Sequence, residues 1–322
     1  MSPPRSSAPG AAPLLCLVGP TGVGKSAFAL ELAEELEAEI VALDSMQVYR
    51  GMDIGTAKPT RAERARVPHA CLDLVEPSER FDLSRYLAEA EAALGRAHAA
   101  GRRALFVGGT GLYLKALARG LFSGPPLDLA LRARLNARVL HEGSPALHAE
   151  LARLDPLSAA RVHANDAKRV VRALEVLEQT GRTLSAWQRE WGWHGAATPA
   201  RPLRLVGLSL PEALHAARIT ARVRAMLEQG WAEEARVIRD GSGFGPTAIQ
   251  ALGYREVLEL ADGKATRADC EERIVQLTRR FVRRQRTWFR SFAGIRWLDP
   301  AHSTARAEAR AELVRADAAS GS

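Results

Sequence analysis

Cysteines and long apolar runs are both scarce in this sequence, and each scarcity excludes a class of protein. The 322 residues contain three cysteines, scattered along the chain. Such thiols suit neither a disulfide framework nor a zinc site. No apolar segment approaches the roughly 18 residues that cross a bilayer, and the N-terminus has Pro and Ser where a signal peptide is apolar. We therefore expect a cytoplasmic protein without a membrane partner.

Acidic residues are also in deficit, although charge of both signs is plentiful. The chain has 45 Lys and Arg against 37 Asp and Glu, which gives a net charge of +8 and a pI near 9.9. A basic balance of this kind favours a polyanionic partner, provided that the excess is concentrated somewhere on the surface. With 47% hydrophobic residues, the chain is long enough for one large domain or two smaller ones.

A glycine-rich stretch near the N-terminus matches the pattern G-x-x-x-x-G-K-[ST]. An apolar run at residues 14–18 precedes it, and Phe28, Leu32 and Leu36 follow it at helical spacing, so the context is strand, loop and helix. In that geometry, backbone N–H groups and the positive end of a helix dipole surround one anion site. The stretch consists of Gly19, Pro20, Thr21, Gly22, Val23, Gly24, Lys25 and Ser26.

We expect this loop to bind a diphosphate or triphosphate. Lys25 would place a positive charge on the distal phosphate, and the Ser26 hydroxyl would bind Mg²⁺. The motif alone leaves open whether a phosphoryl group is transferred or a diphosphate departs.

Two further apolar runs end in polar or glycine-rich residues. The run at residues 39–43 delivers Asp44, and the run at 103–107 delivers Gly108, Gly109 and Thr110. In an open α/β sheet, ligands bind at the carboxyl ends of the strands, beside the phosphate loop. Asp44 is therefore a general base, a carboxylate near Mg²⁺ or a turn former. Thr110 and its turn either approach the same anion or form a plain tight turn.

The pattern of helices and strands changes twice, which predicts an insertion. Residues 13–119 and 200–300 form an α/β core, residues 120–199 are helical in pattern, and residues 1–12 and 301–322 are tails. The first tail is predicted to be disordered and the second to fray. A basic cluster in the insertion, Lys168, Arg169 and Arg172, is either a solvated face or a contact surface.

A row of arginines near the C-terminus indicates a partner more directly. Arg279, Arg283, Arg286 and Arg290 recur on one face of a helical pattern, and no acidic residue interrupts them. Like charges so spaced repel one another, whereas an ordinary solvated face mixes signs. We expect an external polyanion to bind this face.

Several longer motifs make the sequence resemble the tRNA dimethylallyltransferase family. The resemblance runs from about residue 14 to residue 298. Beyond the phosphate loop it is carried by Asp44 to Pro59 (DSMQVYRGMDIGTAKP), Gly108 to Thr110, Val67 to His69, Asn165 to Val176, Ala248 to Arg255 and Arg284 to Arg290. The cysteines of the C-terminal zinc finger found in some relatives are missing here.

The resemblance implies a P-loop NTPase-like parallel sheet flanked by helices, an α/β fold with an inserted α-helical domain. It implies transfer of a dimethylallyl group from dimethylallyl diphosphate to N6 of the adenosine on the 3′ side of the tRNA anticodon. By motif position, Asp44 is the general base, Lys25 and Thr110 stabilise the diphosphate, and Mg²⁺ is the cofactor. Arg222 is assigned to the diphosphate as well, although it lies in no distinctive motif.

Contacts to the anticodon stem-loop are assigned in the same way. They are Asp44, Ser45, Met46, Gln47, Thr110, Arg132, Lys168, Arg169, Val170, Val171, Arg172, Gln250, Ala251, Leu252, Gly253, Tyr254, Arg255, Arg279, Arg283, Arg284 and Gln285.

Alternative functions share the phosphate loop. A small-molecule kinase and an isopentenyltransferase acting on free adenine nucleotide both fit it, and an RNA-remodelling NTPase fits the basic surface. The arginine row argues against the kinase, and the lack of an apolar strand ending in paired carboxylates argues against a motor NTPase. We expect the protein to act as a monomer.

Overall fold

A parallel six-stranded sheet forms the centre of the structure. The computed structural model describes residues 12–119, 125, 127–190 and 201–315. Within those residues the strand order is β3-β2-β4-β1-β5-β6, and every paired strand runs parallel to its neighbour. The predicted α/β class is thereby confirmed. The strands are β1 Leu14–Val18, β2 Ala38–Leu43, β3 His69–Ala70, β4 Arg103–Gly108, β5 Leu203–Leu208 and β6 Arg296–Leu298.

Helices connect and cover these strands. In the described part of the chain, none of them is both long and apolar enough to span a membrane. They are α1 Lys25–Leu36, α2 Arg61–Arg66, α3 Leu83–Ala99, α4 Gly111–Arg119, α5 Leu129–Glu142, α6 Ser144–Leu154, α7 Pro156–Ala159, α8 Ala167–Thr180, α9 Leu184–Glu190, α10 Glu212–Glu228, α11 Trp231–Asp240, α12 Tyr254–Ala261, α13 Arg267–Phe289 and α14 Ala305–Val314.

Two hydrophobic cores lie on the two faces of the sheet. Successive side chains of a strand point to opposite faces, and β1 shows this directly. Cys16 belongs to the core that α3 and α10 to α13 cover, whereas Leu15 and Leu17 belong to the core that α1 and α14 cover. Because β1 is buried on both faces, it is apolar throughout.

The chain divides into two compact units. One contains the sheet and comprises the described residues 12–118 and 201–315, and the other comprises the described residues between 119 and 190. Within the second unit, α5, α6 and α8 pack around their own core, which includes Leu135, Leu147, Leu151, Val170 and Leu174. The predicted disordered tail, apart from Ala12, lies outside the described residues, as do residues 120, 199 and 200, where the insertion was predicted to begin and end.

The prediction that residues after Pro300 fray is wrong for residues 301–315. Ala305, Ala309 and Leu313 are buried along one side of α14, against α1 and β5. Alanine is a weak hydrophobic signal, but its small side chain lets a helix approach a sheet closely. Residues 316–322 lie outside the described part.

Candidate active site

The phosphate loop connects β1 to α1 at the carboxyl edge of the sheet. Gly24 precedes α1 with a φ of 99°, a left-handed conformation that side chains rarely adopt. Gly19 is required for space, since a Cβ there would lie 2.7 Å from the carbonyl oxygen of Leu208. The loop therefore lies close against the end of β5, and its backbone can approach an anion at the start of α1.

Lys25 holds its ammonium group inside this loop. Its Nζ donates a hydrogen bond to the carbonyl oxygen of Pro20 at 2.8 Å. Burial, and after it the charge of the nearby Arg222, lowers the pKa of Lys25 to about 7, with the Asp44 carboxylate opposing the shift. An anion bound here would favour the charged form of the lysine.

Asp44 follows β2 and faces the same region. Its Oδ1 accepts the backbone N–H of Met46 at 2.8 Å, which fixes the carboxylate at the strand end. Burial lowers the pKa of the Arg222 guanidinium, and the charge of Asp44 opposes that shift. The structure thus brings Lys25, Asp44 and Arg222 together, as the sequence predicted.

Gln285 joins the two glycine-rich turns. Its Oε1 accepts the N–H of Thr21 at 2.9 Å, and its Nε2 donates to the carbonyl of Gly109 at 3.0 Å. The side chain is 6% exposed. Gln285 was predicted to contact tRNA, but its amide is committed to the phosphate loop, 264 residues away in the chain.

The backbone N–H groups of the turn at Thr110 are already hydrogen-bonded. The N–H groups of Gly109 and Thr110 both donate to the carbonyl of Leu43, at 3.2 and 3.1 Å. These amides are therefore unavailable to an anion, which corrects the expectation that this backbone approaches it. Thr110 lines the larger of the two cavities described next.

Two cavities meet at the phosphate loop. The smaller, of about 190 Å³, reaches from Lys25 and Ser26 to apolar residues of α1 and β2. The larger, of about 540 Å³, extends toward α12 and α13. The smaller cavity combines an anion site with apolar walls, and it opens onto the larger cavity. This arrangement suits the transfer of a group from a compact phosphorylated donor to a larger acceptor. The residues that line both are Thr21, Gly22, Asp44, Thr56, Arg222, Phe281 and Gln285.

The loop after β2 is held by a carboxylate that the sequence analysis missed. Glu234, on α11, accepts backbone N–H groups from Asp53, Ile54 and Gly55 at 2.8, 2.6 and 3.1 Å. It also accepts the hydroxyl of Tyr254 at 2.7 Å. Tyr254 is fully buried and belongs to this anchor, so its prediction as a tRNA contact is wrong for its side chain.

Met46 and Gln47 lie in the same loop. Gln47 donates from Nε2 to the carbonyls of Thr56 and Ala57, at 3.2 and 3.3 Å, and so closes the loop on itself. Met46 and Ser45 line the larger cavity, as do Gln250, Leu252, Gly253 and Arg255. Ala251 also lines it but is 5% exposed.

The predicted row of arginines is exposed at Arg279, Arg283 and Arg290, but not at Arg286, which contacts His215 inside the protein. Arg279, Arg283 and Arg284 are exposed. Among the described residues, Arg279 and Arg283 have no carboxylate within ion-pair distance, and Arg284 lies 5.7 Å from the ring centre of Phe281. The row therefore leaves positive charge uncompensated next to the larger cavity, which Arg280 and Arg284 line. Arg286 differs, because it is turned inward.

In the helical unit, the predicted contacts separate into two groups. Lys168 and Arg169 are exposed, and Arg169 pairs with Asp166 at 2.7 Å. Val170 and Val171 are buried in the unit's core, so their side chains are excluded as tRNA contacts. Their assignment as contacts rests on motif position alone.

Arg132 and Arg172 are occupied within the helical unit. Both guanidinium groups bind Oε2 of Glu175, at 2.5 and 3.0 Å, and Glu175 is fully buried. The two arginines therefore neutralise an internal carboxylate and join α5 to α8. Glu175 itself sits in a helical stripe of apolar residues, where a charge is expensive unless paired.

No cluster of three metal-ligating side chains exists among the described residues. A Mg²⁺ site needs no such cluster, because this ion retains water and binds substrate phosphates with one or two protein oxygens. Ser26, in the first turn of α1, lines the small cavity beside Lys25. The residues present therefore fit a phosphate-bound Mg²⁺.

Comparison with known proteins agrees with this geometry. The IPP transferase family model matches residues 47–292, and the isopentenyl transferase model matches residues 13–73. A tRNA dimethylallyltransferase of Syntrophobacter fumaroxidans is 47% identical over 90% of this chain and 84% of its own. One from Methylococcus capsulatus is 45% identical over 89% of this chain and 92% of its own.

Solved structures give the same result. The full-length tRNA isopentenylpyrophosphate transferase of Bacillus halodurans superposes with a TM-score of 0.68 at 35% identity, covering 94% of this chain and 96% of its own. A eukaryotic dimethylallyltransferase captured acting on tRNA has a TM-score of 0.70 at 29% identity, covering 87% of this chain and 70% of its own.

Proposed function

Because this chain belongs to the tRNA dimethylallyltransferase family, we propose that its two joined cavities hold the prenyl donor and the acceptor base of that reaction. The chain transfers a dimethylallyl group to tRNA, and the kinase and free-nucleotide alternatives are not favoured. The finer assignment is donor dimethylallyl diphosphate and acceptor N6 of the adenosine 3′ to the anticodon. The observation that carries it is Asp44, which lines both cavities.

The donor's diphosphate occupies the phosphate loop, where it is a leaving group. As the allylic C–O bond breaks, both electrons of that bond go to the diphosphate oxygen, and negative charge grows there. Lys25 and Arg222 supply opposing charge, and loop N–H groups supply hydrogen bonds. Donors positioned in this way act on the transition state, and removing one typically costs about 2.7–4 kcal/mol.

The acceptor amine gains its carbon and loses a proton in the same region. The exocyclic amine of adenine is a weak nucleophile, because its lone pair is delocalised into the ring. Asp44 takes the proton as the N–C bond forms, so the amine product is neutral and diphosphate is released. The carboxylate is suited to this role, because the N–H of Met46 holds it at the end of β2.

Mg²⁺ fits the diphosphate side of the site. Ser26 would hold it together with the substrate's phosphate oxygens, and the ion would supply charge neutralisation of the leaving group.

The adenosine enters the larger cavity, and the RNA backbone lies along the exposed face of α13. A base inside a structured loop must leave its stack to reach a pocket. Arg279 and Arg283 then bind phosphates, which position the RNA, while Gln250 and Arg255 border the cavity where a base edge is read.

Incubation of the purified protein with radiolabelled dimethylallyl diphosphate and unmodified tRNA tests this function. With Mg²⁺ present and ATP omitted, label should enter RNA, and nucleoside mass spectrometry should locate it on the adenosine 3′ to the anticodon. Label that enters RNA only when ATP is added, or that reaches free adenine nucleotide instead, contradicts the proposal.

A further inference from the structure

One face of α10 lies along the phosphate loop. Nε2 of His215 lies 2.8 Å from the carbonyl oxygen of Thr21, and the guanidinium of Arg218 lies 3.5 Å from that of Val23. A Cβ on Gly22 would meet α10 as well, at 3.3 and 3.5 Å. The helix therefore contacts consecutive residues of the loop. Its face is formed by residues spaced i, i+3, i+4 and i+7, namely His215, Arg218, Ile219 and Arg222.

Arg286 fixes which nitrogen of His215 carries the proton. Its Nη2 lies 3.0 Å from Nδ1 of His215. Because a guanidinium can only donate, Nδ1 accepts, and the proton is on Nε2, which donates to Thr21. His215 is 2% exposed, and burial lowers its pKa, as do the charges of Arg286, Lys25 and Arg218, against the effect of the Thr21 carbonyl. The imidazole is therefore neutral and has one orientation.

Planar peptides convert this carbonyl contact into an orientation of N–H groups. In a trans peptide, the C=O of one residue and the N–H of the next point in opposite directions. Holding the Thr21 carbonyl on His215 turns the N–H of Gly22 away from α10, and holding the Val23 carbonyl on Arg218 does the same for Gly24. Gly22 and Gly24 both line the small cavity.

We propose that His215 is a positioning residue that aims the Gly22 amide at the departing diphosphate, with Arg218 acting more weakly on the Gly24 amide. The inference deepens the proposed function, since it takes the small cavity as the diphosphate site. The charge that grows on the leaving group needs donors already in place, and glycines on their own leave the loop free to turn them elsewhere.

A buried histidine that merely fills space would behave differently on substitution. His215→Gln keeps a donor for the Thr21 carbonyl and an acceptor for Arg286, whereas His215→Leu keeps the bulk and loses both. Calorimetric titration with inorganic diphosphate and Mg²⁺ should show affinity about five- to tenfold weaker in His215→Leu, the size of one lost hydrogen bond. His215→Gln should stay within about threefold of the wild type.

Kinetics and a second pair of variants complete the test. His215→Leu should also lower kcat and raise KM for dimethylallyl diphosphate, while its tRNA affinity is unchanged. Arg218→Met should weaken diphosphate binding more than Arg224→Met, which removes the same charge from α10 but at an arginine paired with Glu271 at 2.9 Å. If His215→Leu does not fold, the comparison of Arg218→Met with Arg224→Met still tests whether α10 orients the loop amides.

Three results would overturn the inference, of which the first two are wild-type diphosphate affinity in His215→Leu and equal losses in Arg218→Met and Arg224→Met. An equal loss in His215→Gln and His215→Leu would likewise assign the histidine to packing alone. A wild-type protein that binds diphosphate but leaves RNA unmodified would refute the proposed function instead, and the binding comparison would still be decisive.

Discussion

The carboxylate of Glu234 accepts the backbone N–H of Ile54 at 2.6 Å, although 180 residues separate them in the chain. The neighbouring amides of Asp53 and Gly55 point at the same group. Successive N–H groups that converge on an anion form a concavity of the kind that binds phosphate, and here a protein carboxylate occupies it. The loop is thereby anchored to α11, and Thr56, which lines both cavities, is held in position.

Glu234→Gln should release this loop. In the wild type, three backbone N–H groups donate to the two oxygens of a charged carboxylate. In the variant, an NH₂ group replaces one of those oxygens and faces backbone donors, so hydrogen bonds to a charged group are lost. We expect about 2 kcal/mol less stability in urea unfolding, and a lower kcat. Glu233→Gln, at an exposed neighbour paired with Arg236, is the control and should leave the stability close to that of the wild type. Equal losses would exclude the anchor.

Local patterns were sufficient for the fold and the centre of the site. The phosphate loop carries its own context of strand and helix, and Asp44 follows an apolar strand, so adjacency in sequence predicted adjacency in space. The α14 packing was missed, because an Ala and Arg rich helix has a weak apolar stripe.

Long-range hydrogen bonds account for the site residues whose roles were predicted wrongly or missed. Gln285 and Tyr254 lie within motifs that resemble an RNA-binding family, but their partners, Thr21 and Glu234, cannot be read from any local pattern. His215 was missed for the same reason. The spacing of His215, Arg218 and Arg222 on one face of α10 is the one signal that the sequence offers for it.

Asp44→Asn should reduce the chemical step without weakening tRNA binding. The amide oxygen still accepts the N–H of Met46, so the local backbone is retained, but the proton acceptor is lost. General-base catalysis contributes about 10²- to 10⁴-fold, and single-turnover kinetics should fall by a factor in that range. Unchanged single-turnover rates together with a large loss of tRNA affinity would make Asp44 a contact residue instead.

Lys25 should take up a proton when the donor binds. Its pKa of about 7 lies below the ordinary value, so the side chain is largely neutral at pH 8. A bound diphosphate favours the ammonium and raises that pKa, so binding at pH 8 consumes protons and affinity increases as the pH falls toward 6. Calorimetry in buffers of different ionisation enthalpy measures this uptake.

The uptake should be missing in Lys25→Met and unchanged in Lys264→Met, which removes an exposed lysine paired with Asp262. The donor's own protonation is common to all three proteins and cancels in the comparison. Equal uptake in wild type and Lys25→Met would assign the proton to another group.

Glu175→Gln should destabilise the helical unit. The carboxylate is fully buried and binds Arg132 and Arg172, so its neutralisation leaves two guanidinium groups without their anion. Because both arginines are about one-third exposed, water compensates in part, and we expect a loss of about 2 kcal/mol in urea unfolding. Glu178→Gln, which breaks only an exposed pair with Arg134, should change stability little. A Glu175→Gln protein as stable as wild type would show that the arginines need no buried partner.

Neutralising Arg279 and Arg283 together should flatten the salt dependence of tRNA binding. Each phosphate contact releases counterions, so the magnitude of the slope of log affinity against log salt falls by about 0.7 to 0.9 for every contact removed, or about 1.4 to 1.8 for the double serine variant. The matched control is Arg236→Ser with Arg239→Ser on α11, which removes equal charge from arginines that already pair with carboxylates. Both proteins lose two positive charges, so a purely global electrostatic effect would lower both slopes alike. A lower salt slope in the α13 variant alone would place RNA phosphates on that face. An unchanged slope in both variants would show that the α13 arginines contact only solvent.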